Sequence, residues 1–186
     1  MVEFIVLRHG ETVENSQRIC QGQTEGTLSE RGWQQVKAVA MELSAYPVDA
    51  IYSSPLRRAV DTAMAVQQYH PNINLQLDSR LMERRMGVME GKVFPDGFDY
   101  LHPIPESESL AEVFARVKEV IQALGAKHQG QTVLLVSHGI TIRMVKCLVG
   151  NIPLSQLNDV ELQPNATYFR FGCDIRCLCT YEKIEG

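Results

Sequence analysis

Residues 2–12, Val-Glu-Phe-Ile-Val-Leu-Arg-His-Gly-Glu-Thr, and residues 132–139, Thr-Val-Leu-Leu-Val-Ser-His-Gly, decide how this chain is expected to fold. Each segment is a short apolar run that ends in a histidine followed by a glycine, at His9 and at His138. Apolar runs of this length are typical of strands that are buried on both faces of a parallel sheet. If the two strands are neighbours, their carboxyl ends share one sheet edge and the two imidazoles face each other across a crevice. Taken singly, each histidine is better explained as an ordinary strand-end residue, but the two together, with Arg8 beside one of them, indicate a shared site.

Helical and strand patterns alternate along the rest of the chain. Ser29 fits the N-cap of a helix over residues 29–44, and Trp33, Val36 and Leu43 recur on one face of it. The other predicted helices are 55–69, 109–127 and 141–149, and the other predicted strands are 48–52, 75–77, 166–171 and 176–181. This alternation predicts an α/β fold, a three-layer sandwich whose mostly parallel central sheet carries helices on both faces.

Length and composition limit the class of protein. The 186 residues fit one domain over 1–186, and 45% hydrophobic with 22% charged residues match a soluble globular protein. A net charge of -4 provides no basic surface for nucleic acid or for an acidic membrane. No apolar run is long enough to span a membrane, and we expect no signal peptide. The five cysteines, an odd number, favour free thiols in a reducing cytoplasm. The spacing of Cys173, Cys177 and Cys179 matches no common zinc site, and alternation along a strand accounts for the last two.

Arginines near the histidine segments indicate an anion site. Arg8 precedes His9, and residues 53–59, Ser-Ser-Pro-Leu-Arg-Arg-Ala, follow a predicted strand and open a helix. An arginine near a helix N-terminus suits a phosphate, because the helix dipole and the guanidinium group both attract its oxygens. We expect Arg58 to bind the anion and Arg57 to lie on the solvated face of the helix.

Taken in order along the chain, these motifs resemble those of the histidine phosphatase superfamily, whose best-known branch is the cofactor-dependent phosphoglycerate mutases. The resemblance covers about residues 4–149, and residues 8–12, Arg-His-Gly-Glu-Thr, match the family signature. Residues 54–63 match the block with the second phosphate arginine, residues 81–91 match the proton-donor block, and residues 137–139 match the last block. Further matches are Asn15, Gln21, Gly22 and the segment 28–32.

The resemblance implies a phosphatase reaction that needs neither a metal nor a cofactor. It makes His9 the nucleophile, Glu83 the acid that protonates the leaving alkoxide, and protonated His138 a group that neutralises the transferred phosphate. Glu11 is the rival acid, and without the resemblance Glu83 is best explained as a surface charge beside Arg84. The implied substrate-binding residues are Arg8, Asn15, Gln21, Gly22, Arg58 and Gly139.

Three functions are compatible with these residues. The first is a phosphatase, monomeric or homodimeric, that hydrolyses a small phosphorylated metabolite of the sugar phosphate or ribazole phosphate type. The others are a mutase that returns the phosphate to a sugar acid, and a non-catalytic phosphate-binding module. The loop over 92–106 is short, so a lid built from it excludes water poorly, which favours hydrolysis. Its aromatic residues either cap the pocket and select the substrate or pack as in an ordinary loop: Phe94, Phe98, Tyr100 and His102.

Overall fold

The computed structural model describes residues 1–174 and 179–180, and the strands among them form one sheet. They are β1 (Val2–Arg8), β2 (Ala50–Ser53), β3 (Leu75–Leu77), β4 (Thr132–Ser137), β5 (Tyr168–Cys173) and β6 (Cys179–Thr180). In the order β3-β2-β4-β1 all neighbours are parallel, and β5 and then β6 extend the sheet beyond β1 as antiparallel strands. The mostly parallel sheet predicted from the sequence is therefore confirmed.

The two strands that carry the histidines are neighbours in the middle of the sheet. β1 and β4 pair in parallel up to Arg8 and Ser137, so the next residue of each chain segment is a histidine. The backbone N–H of His9 also donates to the carbonyl oxygen of Ser137 at 3.1 Å. His9 and His138 therefore leave the sheet side by side, at the carboxyl edge where parallel α/β sheets bind ligands.

Helices cover both faces of the sheet, as the alternating pattern predicts. They are α1 (Val13–Ser16), α2 (Glu30–Leu43), α3 (Arg57–Gln67), α4 (Leu110–Lys127) and α5 (Gly139–Val149). Helices α2 and α3 pack on one face, and α4 and α5 pack on the other. Successive strand residues alternate between the two cores, with Ile5 and Leu134 on the α2–α3 side and Phe4 and Leu135 on the α4–α5 side. Both faces are buried, which explains why these strands read as continuous apolar runs.

The first turn of α2 differs from the prediction at Trp33. Ser29 is the N-cap, as predicted, and its hydroxyl accepts from the N–H of Gly32 at 2.9 Å. Trp33, however, is 40% exposed. Gly32 takes the buried position, and a Cβ there would lie 1.9 Å from the carbonyl oxygen of Glu11. The helix thus approaches the loop after β1 through its glycine, and the indole of Trp33 stays partly exposed to solvent.

Two helices begin two residues away from the predicted start. Helix α3 begins at Arg57 rather than at Pro55, because Leu56 is still extended and serves as the N-cap. Helix α5 begins at Gly139 rather than at Thr141, directly after His138. The second difference matters for function, since it brings the unpaired N–H groups of the first helical turn next to the histidine.

The end of the chain matches the prediction in part. β5 begins at Tyr168, two residues later than predicted, and pairs with β1. Of the strand predicted over 176–181, Cys179–Thr180 are described as β6. The rest of that segment, including Cys177 and the side chain of Cys179, lies outside the described residues. Among the helices that the structure describes, none combines the length and the apolar character required to cross a membrane.

Candidate active site

A cavity of about 450 Å³ opens at the carboxyl edge of the parallel strands. The ring centroids of His9 and His138 lie 5.1 Å apart there, and His138 is fully buried rather than part of the cavity wall. All the other residues predicted for the site line the cavity: Arg8, His9, Asn15, Gln21, Gly22, Arg58, Glu83 and Gly139. The structure therefore brings together residues from four distant parts of the sequence, while their individual roles remain predictions.

His9 is held in a single tautomer. Its Nδ1 lies 2.7 Å from the carbonyl oxygen of Gly10, and because a carbonyl only accepts, Nδ1 carries the proton. Burial, and then the positive charges of Arg58 and Arg8, hold the pKa of His9 well below its usual value. At neutral pH Nε2 is therefore unprotonated and holds the lone pair that nucleophilic attack requires. The N–H of Gly10 is fixed in turn by the hydroxyl of Thr62 at 3.1 Å.

The structure differs from the expectation that His138 is protonated. Nε of Arg58 donates to Nδ1 of His138 at 3.2 Å, which leaves Nε2 to carry the proton and to donate to the hydroxyl of Ser54 at 2.7 Å. Burial, followed by the charge of Arg58, lowers the pKa of His138 well below its usual value. The ring is therefore neutral here, because it serves as the acceptor that orients Arg58.

Arg58 joins two loops of the site. It is almost fully buried, and its Nη2 and Nη1 donate to the carbonyl oxygens of Gly22 at 2.8 Å and Thr24 at 2.9 Å. Each of these nitrogens keeps a second N–H, and the two remaining N–H groups suit the oxygens of a phosphate. Gly22 has a φ of +52°, which favours glycine, and this conformation directs its carbonyl at Arg58. Arg57 lies on the exposed side of α3, as the sequence predicts.

Arg8 supplies a second guanidinium group. Its Nη1 donates to the carbonyl oxygen of Gln163, while its buried Nε has no hydrogen-bond partner in the described part of the chain. Burial lowers the pKa of Arg8, because the charged group loses hydration there. A half-buried cation whose buried Nε lacks a partner among the described residues fits an anionic ligand, since one phosphate oxygen would satisfy both the charge and the N–H.

Glu83, rather than Glu11, presents its carboxylate to the cavity. The side chain of Glu83 accepts from the backbone N–H groups of Ile140 and Thr141, each at 3.1 Å, in the first turn of α5. Glu11 accepts instead from the hydroxyl of Ser29 at 2.9 Å and is not part of the cavity wall. The geometry therefore favours Glu83 over its rival as the acid, and α5 fixes the direction of its carboxylate.

Asn165 is a site residue that the sequence analysis missed. Its Nδ2 donates to the carbonyl oxygen of His9 at 3.1 Å and to Oδ1 of Asn15 at 3.2 Å, and it lines the cavity. Oδ1 of Asn15 also accepts from the N–H of Thr12, so Nδ2 is the end of Asn15 that remains for a ligand. The Nε2 of Gln21 is engaged by the hydroxyl of Thr12 at 2.8 Å. The position of Asn165 follows from the topology of the sheet. Because β5 is antiparallel to β1, the loop that precedes β5 lies next to the end of β1.

Residues 92–106, here called the substrate loop, form one wall of the cavity. Phe94, Phe98 and Tyr100 line it, and their ring centroids are 4.9 to 6.0 Å apart. His102, predicted with them, is exposed and lies outside the cavity wall. The aromatic cluster presents apolar surface next to the cationic site, which suits a substrate that carries more than its phosphate.

Arg84 fastens the substrate loop to the segment that carries Glu83. It is buried, and its guanidinium group donates to the main-chain carbonyl oxygens of Tyr100 at 3.1 Å and Glu108 at 2.8 Å. Since Glu83 is the preceding residue, the segment that carries its carboxylate and the substrate loop are held by the same arginine. Their relative positions are therefore set by hydrogen bonds to the backbone.

The arrangement is suited to phosphoryl transfer to a nitrogen atom. Within the described residues, no three His, Cys, Asp or Glu side chains are grouped as metal ligands. The cavity instead presents two guanidinium groups, from Arg8 and Arg58, beside the neutral imidazole of His9. Such groups neutralise the equatorial oxygens of a transferring phosphoryl group, and Glu83 supplies a carboxyl group for proton transfer.

Comparisons with known proteins point to one family. The family model of the histidine phosphatase superfamily (branch 1) matches residues 4–176. Phosphoserine phosphatase 1 of Hydrogenobacter thermophilus is 33% identical over 187 residues, which cover 94% of this chain and 83% of that protein. A probable phosphoglycerate mutase of Escherichia coli, GpmB, is 34% identical over 169 residues, 82% of this chain and 75% of that one. The structure of a mycobacterial glucosyl-3-phosphoglycerate phosphatase in complex with VO3 matches with a TM-score of 0.87 and 25% identity, over 97% of this chain and 96% of that one.

Proposed function

We propose, since the chain belongs to branch 1 of the histidine phosphatase superfamily, that it hydrolyses a small phosphomonoester through a phosphohistidine intermediate on His9. The observation that carries the proposal is the neutral His9 imidazole, whose Nδ1 is tied to Gly10 and whose Nε2 keeps its lone pair beside Arg8 and Arg58. Phosphoserine and glucosyl-3-phosphoglycerate phosphatases among the similar proteins support a phosphoric monoester hydrolase. The direct test is phosphate release from p-nitrophenyl phosphate and from a panel of phosphorylated metabolites.

The first half of the reaction transfers the phosphoryl group to the protein. Nε2 of His9 attacks the phosphorus atom, and the bond from phosphorus to the alcohol oxygen breaks. The leaving alkoxide takes a proton from the carboxyl group of Glu83, which lines the cavity beside the phosphate-binding arginines. Arg8 and Arg58 neutralise the charge that gathers on the equatorial oxygens.

The second half returns the site to its starting state. A water molecule attacks the phosphorus atom and gives a proton to the carboxylate of Glu83. The bond between phosphorus and Nε2 breaks, its electron pair returns to His9, and inorganic phosphate leaves. Asn165, through the carbonyl oxygen of His9, and Thr62, through Gly10, keep the imidazole in place through both halves.

A mutase is the second candidate, and it differs only in the molecule that accepts the phosphoryl group. The sequence similarity to a probable phosphoglycerate mutase keeps this alternative in view. We favour hydrolysis, because the short substrate loop forms one wall of the cavity and shields a phosphohistidine poorly from water. A substrate with a labelled phosphate group distinguishes the two reactions. A phosphatase releases the label as inorganic phosphate, whereas a mutase transfers it to an added sugar acid.

We expect Glu83→Gln to slow the cleavage of alkyl phosphates about 10²- to 10⁴-fold, the usual contribution of a general acid. An alkoxide leaves with a localised charge and depends on a proton donor, whereas p-nitrophenolate needs little help. For p-nitrophenyl phosphate the loss should therefore stay below about tenfold. The measurement is kcat/KM for a series of phosphomonoesters ordered by the pKa of their alcohol.

Glu11→Gln is the matched control, since the carboxylate of Glu11 bonds to Ser29 outside the cavity. It should shift all substrates of the series by the same small factor. An equal loss for good and poor leaving groups in Glu83→Gln would make Glu83 a positioning residue and not the acid.

We expect activity to persist when divalent metal ions are removed. Arg8 and Arg58 supply the positive charge that a magnesium ion supplies in many other phosphotransferases. Dialysis against EDTA should therefore change kcat by less than about twofold, and added magnesium should not raise it. Activity that disappears with the chelator and returns with magnesium would contradict the mechanism.

A further inference from the structure

Arg143 is a buried cation to which the proposed mechanism assigns no role. It lies in the second turn of α5 and is 8% exposed. Its Nε and Nη1 are buried without a hydrogen-bond partner among the described residues. The guanidinium group lies over the ring of Tyr100, 5.1 Å from the centroid. Buried and unpaired donors on a charged group cost free energy, so their presence at the edge of an active site calls for a ligand.

The position of Arg143 on α5 directs its side chain toward the cavity that holds His9, Arg8 and Arg58. It follows Gly139 by one helical turn and so lies on the helix face that lines the cavity. Long side chains on a helix lean toward the N-terminus, which here is the phosphate end. Arg143 lines a second cavity of about 300 Å³, which shares Phe98 and Tyr100 with the first. One ligand could therefore reach both.

No carboxylate forms an ion pair with Arg143 in the described part of the chain. Glu83 is the carboxylate whose charge acts on it, but the oxygens of Glu83 already accept from the first turn of α5. Asp99, in the wall of the second cavity, is engaged by Nδ2 of Asn158 at 2.6 Å and by the N–H of Leu101 at 2.9 Å. The positive charge of Arg143 is thus left without a carboxylate partner among residues 1–174 and 179–180.

We propose that Arg143 binds a carboxylate of the substrate, and that the preferred substrate is a phosphomonoester of a hydroxy acid. This inference rests on the proposed phosphatase function and assigns the second cavity to the end of the substrate opposite its phosphate. The planar guanidinium fork matches the two oxygens of a carboxylate. Tyr100 stacks on Arg143 and lines both cavities, so it holds the fork at their junction.

The surroundings favour a carboxylate over a second phosphate group. The second cavity contains one guanidinium group, and its wall also includes the carboxylate of Asp99. A dianion there would meet a like charge with one cation to neutralise it, whereas a carboxylate carries a single negative charge. The phosphate cavity, in contrast, has both Arg8 and Arg58.

The experiment compares substrates that differ in the carboxylate and little else. One pair is 3-phosphoglycerate and glycerol 1-phosphate. The second compound has a CH₂OH group, of similar size, in place of the carboxylate of the first. The other is O-phosphoserine and O-phosphoethanolamine. For at least one pair, the wild-type protein should show a higher kcat/KM for the carboxylate member. In Arg143→Met the ratio within that pair should fall about 10- to 100-fold, the usual effect of losing a charge-assisted hydrogen bond.

Two further variants make the assignment specific. Arg143→Lys keeps the charge but loses the planar fork, and should restore part of the ratio. Lys146→Met is the matched control on α5, because Nζ of Lys146 donates to the carbonyl oxygen of Glu161 and lies over the ring of Phe169. It should leave the ratio within about twofold of the wild type, as expected for a site that contacts no substrate.

A second readout does not depend on turnover. The rise in Tm on adding 3-phosphoglycerate should exceed the rise with glycerol 1-phosphate in the wild type, and this excess should vanish in Arg143→Met. The proposal is overturned if Arg143→Met lowers kcat/KM equally for both members of a pair, or if the wild type prefers neither member of either pair. It is also overturned if Arg143 governs a preference for bisphosphates instead. If no compound releases phosphate, p-nitrophenyl phosphate included, the proposed function fails, and the Tm comparison still decides the role of Arg143.

Discussion

Replacement of His9 by alanine is expected to lower kcat by on the order of 10⁴-fold or more while the protein remains folded. His9 is the nucleophile of the proposed mechanism, and the other cavity groups stabilise a phosphoryl transfer that cannot begin without it. Quenching the wild-type enzyme during turnover should trap an acid-labile phosphate on His9, which peptide mapping by mass spectrometry can locate. The same quench of His9→Ala should yield no phosphorylated peptide.

The chain provides a matched control for this experiment in His128. It is also a buried histidine, but its ring bonds to Tyr52 and Gln131 just before β4, at the opposite edge of the sheet. His128→Gln should lower Tm without removing the phosphopeptide. Acid-labile phosphate on a residue other than His9, or turnover that survives His9→Ala, would contradict the assignment.

Arg58→Met is expected to lower kcat/KM by about 10³- to 10⁵-fold, the range found when an arginine that stabilises a transferring phosphoryl group is removed. Two losses combine, because Arg58 both faces the phosphate position and donates to Nδ1 of His138. Arg58→Lys should recover part of the activity, since an ammonium group restores the charge but cannot bond to His138, Gly22 and Thr24 at once. Steady-state kinetics with p-nitrophenyl phosphate measures both variants.

Arg57→Met is the control for Arg58, since the two arginines are adjacent in sequence and differ in exposure. It should change kcat/KM by less than about twofold, because an exposed ion pair contributes little. Tm measured for all three variants separates a loss of charge from a loss of fold, since Arg58→Met leaves two loop carbonyls without their donor. A Met variant that folds and keeps most of its activity would overturn the role of Arg58.

The sequence predicts well the two central strands, β1 and β4, and the histidines that follow them, because local patterns of apolar and polar residues determine both. The apolar runs before His9 and His138 are typical of strands buried on both faces, and their polar ends meet because the two strands are neighbours. Successive helix residues point in different directions, so Arg57 and Arg58 were not both expected to face the site, and the family resemblance selected Arg58. The family resemblance added Glu83, whose local sequence carries no signal of its own.

The residues that the sequence did not predict depend on contacts between distant segments. Asn165 reaches His9 because β5 enters the sheet antiparallel, which no local pattern reveals. In the sequence, Arg143 is a single basic residue within an apolar helix. Only the structure shows that its buried Nε and Nη1 have no hydrogen-bond partner among the described residues. The sequence predicts a protonated His138, whereas in this structure its Nδ1 accepts from Nε of Arg58, a contact that side-chain geometry sets and that no local pattern reveals.

The anchoring of the substrate loop by Arg84 bears on how enzymes of this kind diversify. The acceptors at Tyr100 and Glu108 are main-chain oxygens, which every amino acid provides. Mutations that exchange the aromatic side chains of the loop can therefore accumulate without loosening its attachment or displacing Glu83. Changes in what the loop recognises are therefore expected to leave the position of Glu83 unchanged. For protein engineering, positions 94 and 98 are the natural sites for a library, and Arg84 is the residue to leave alone.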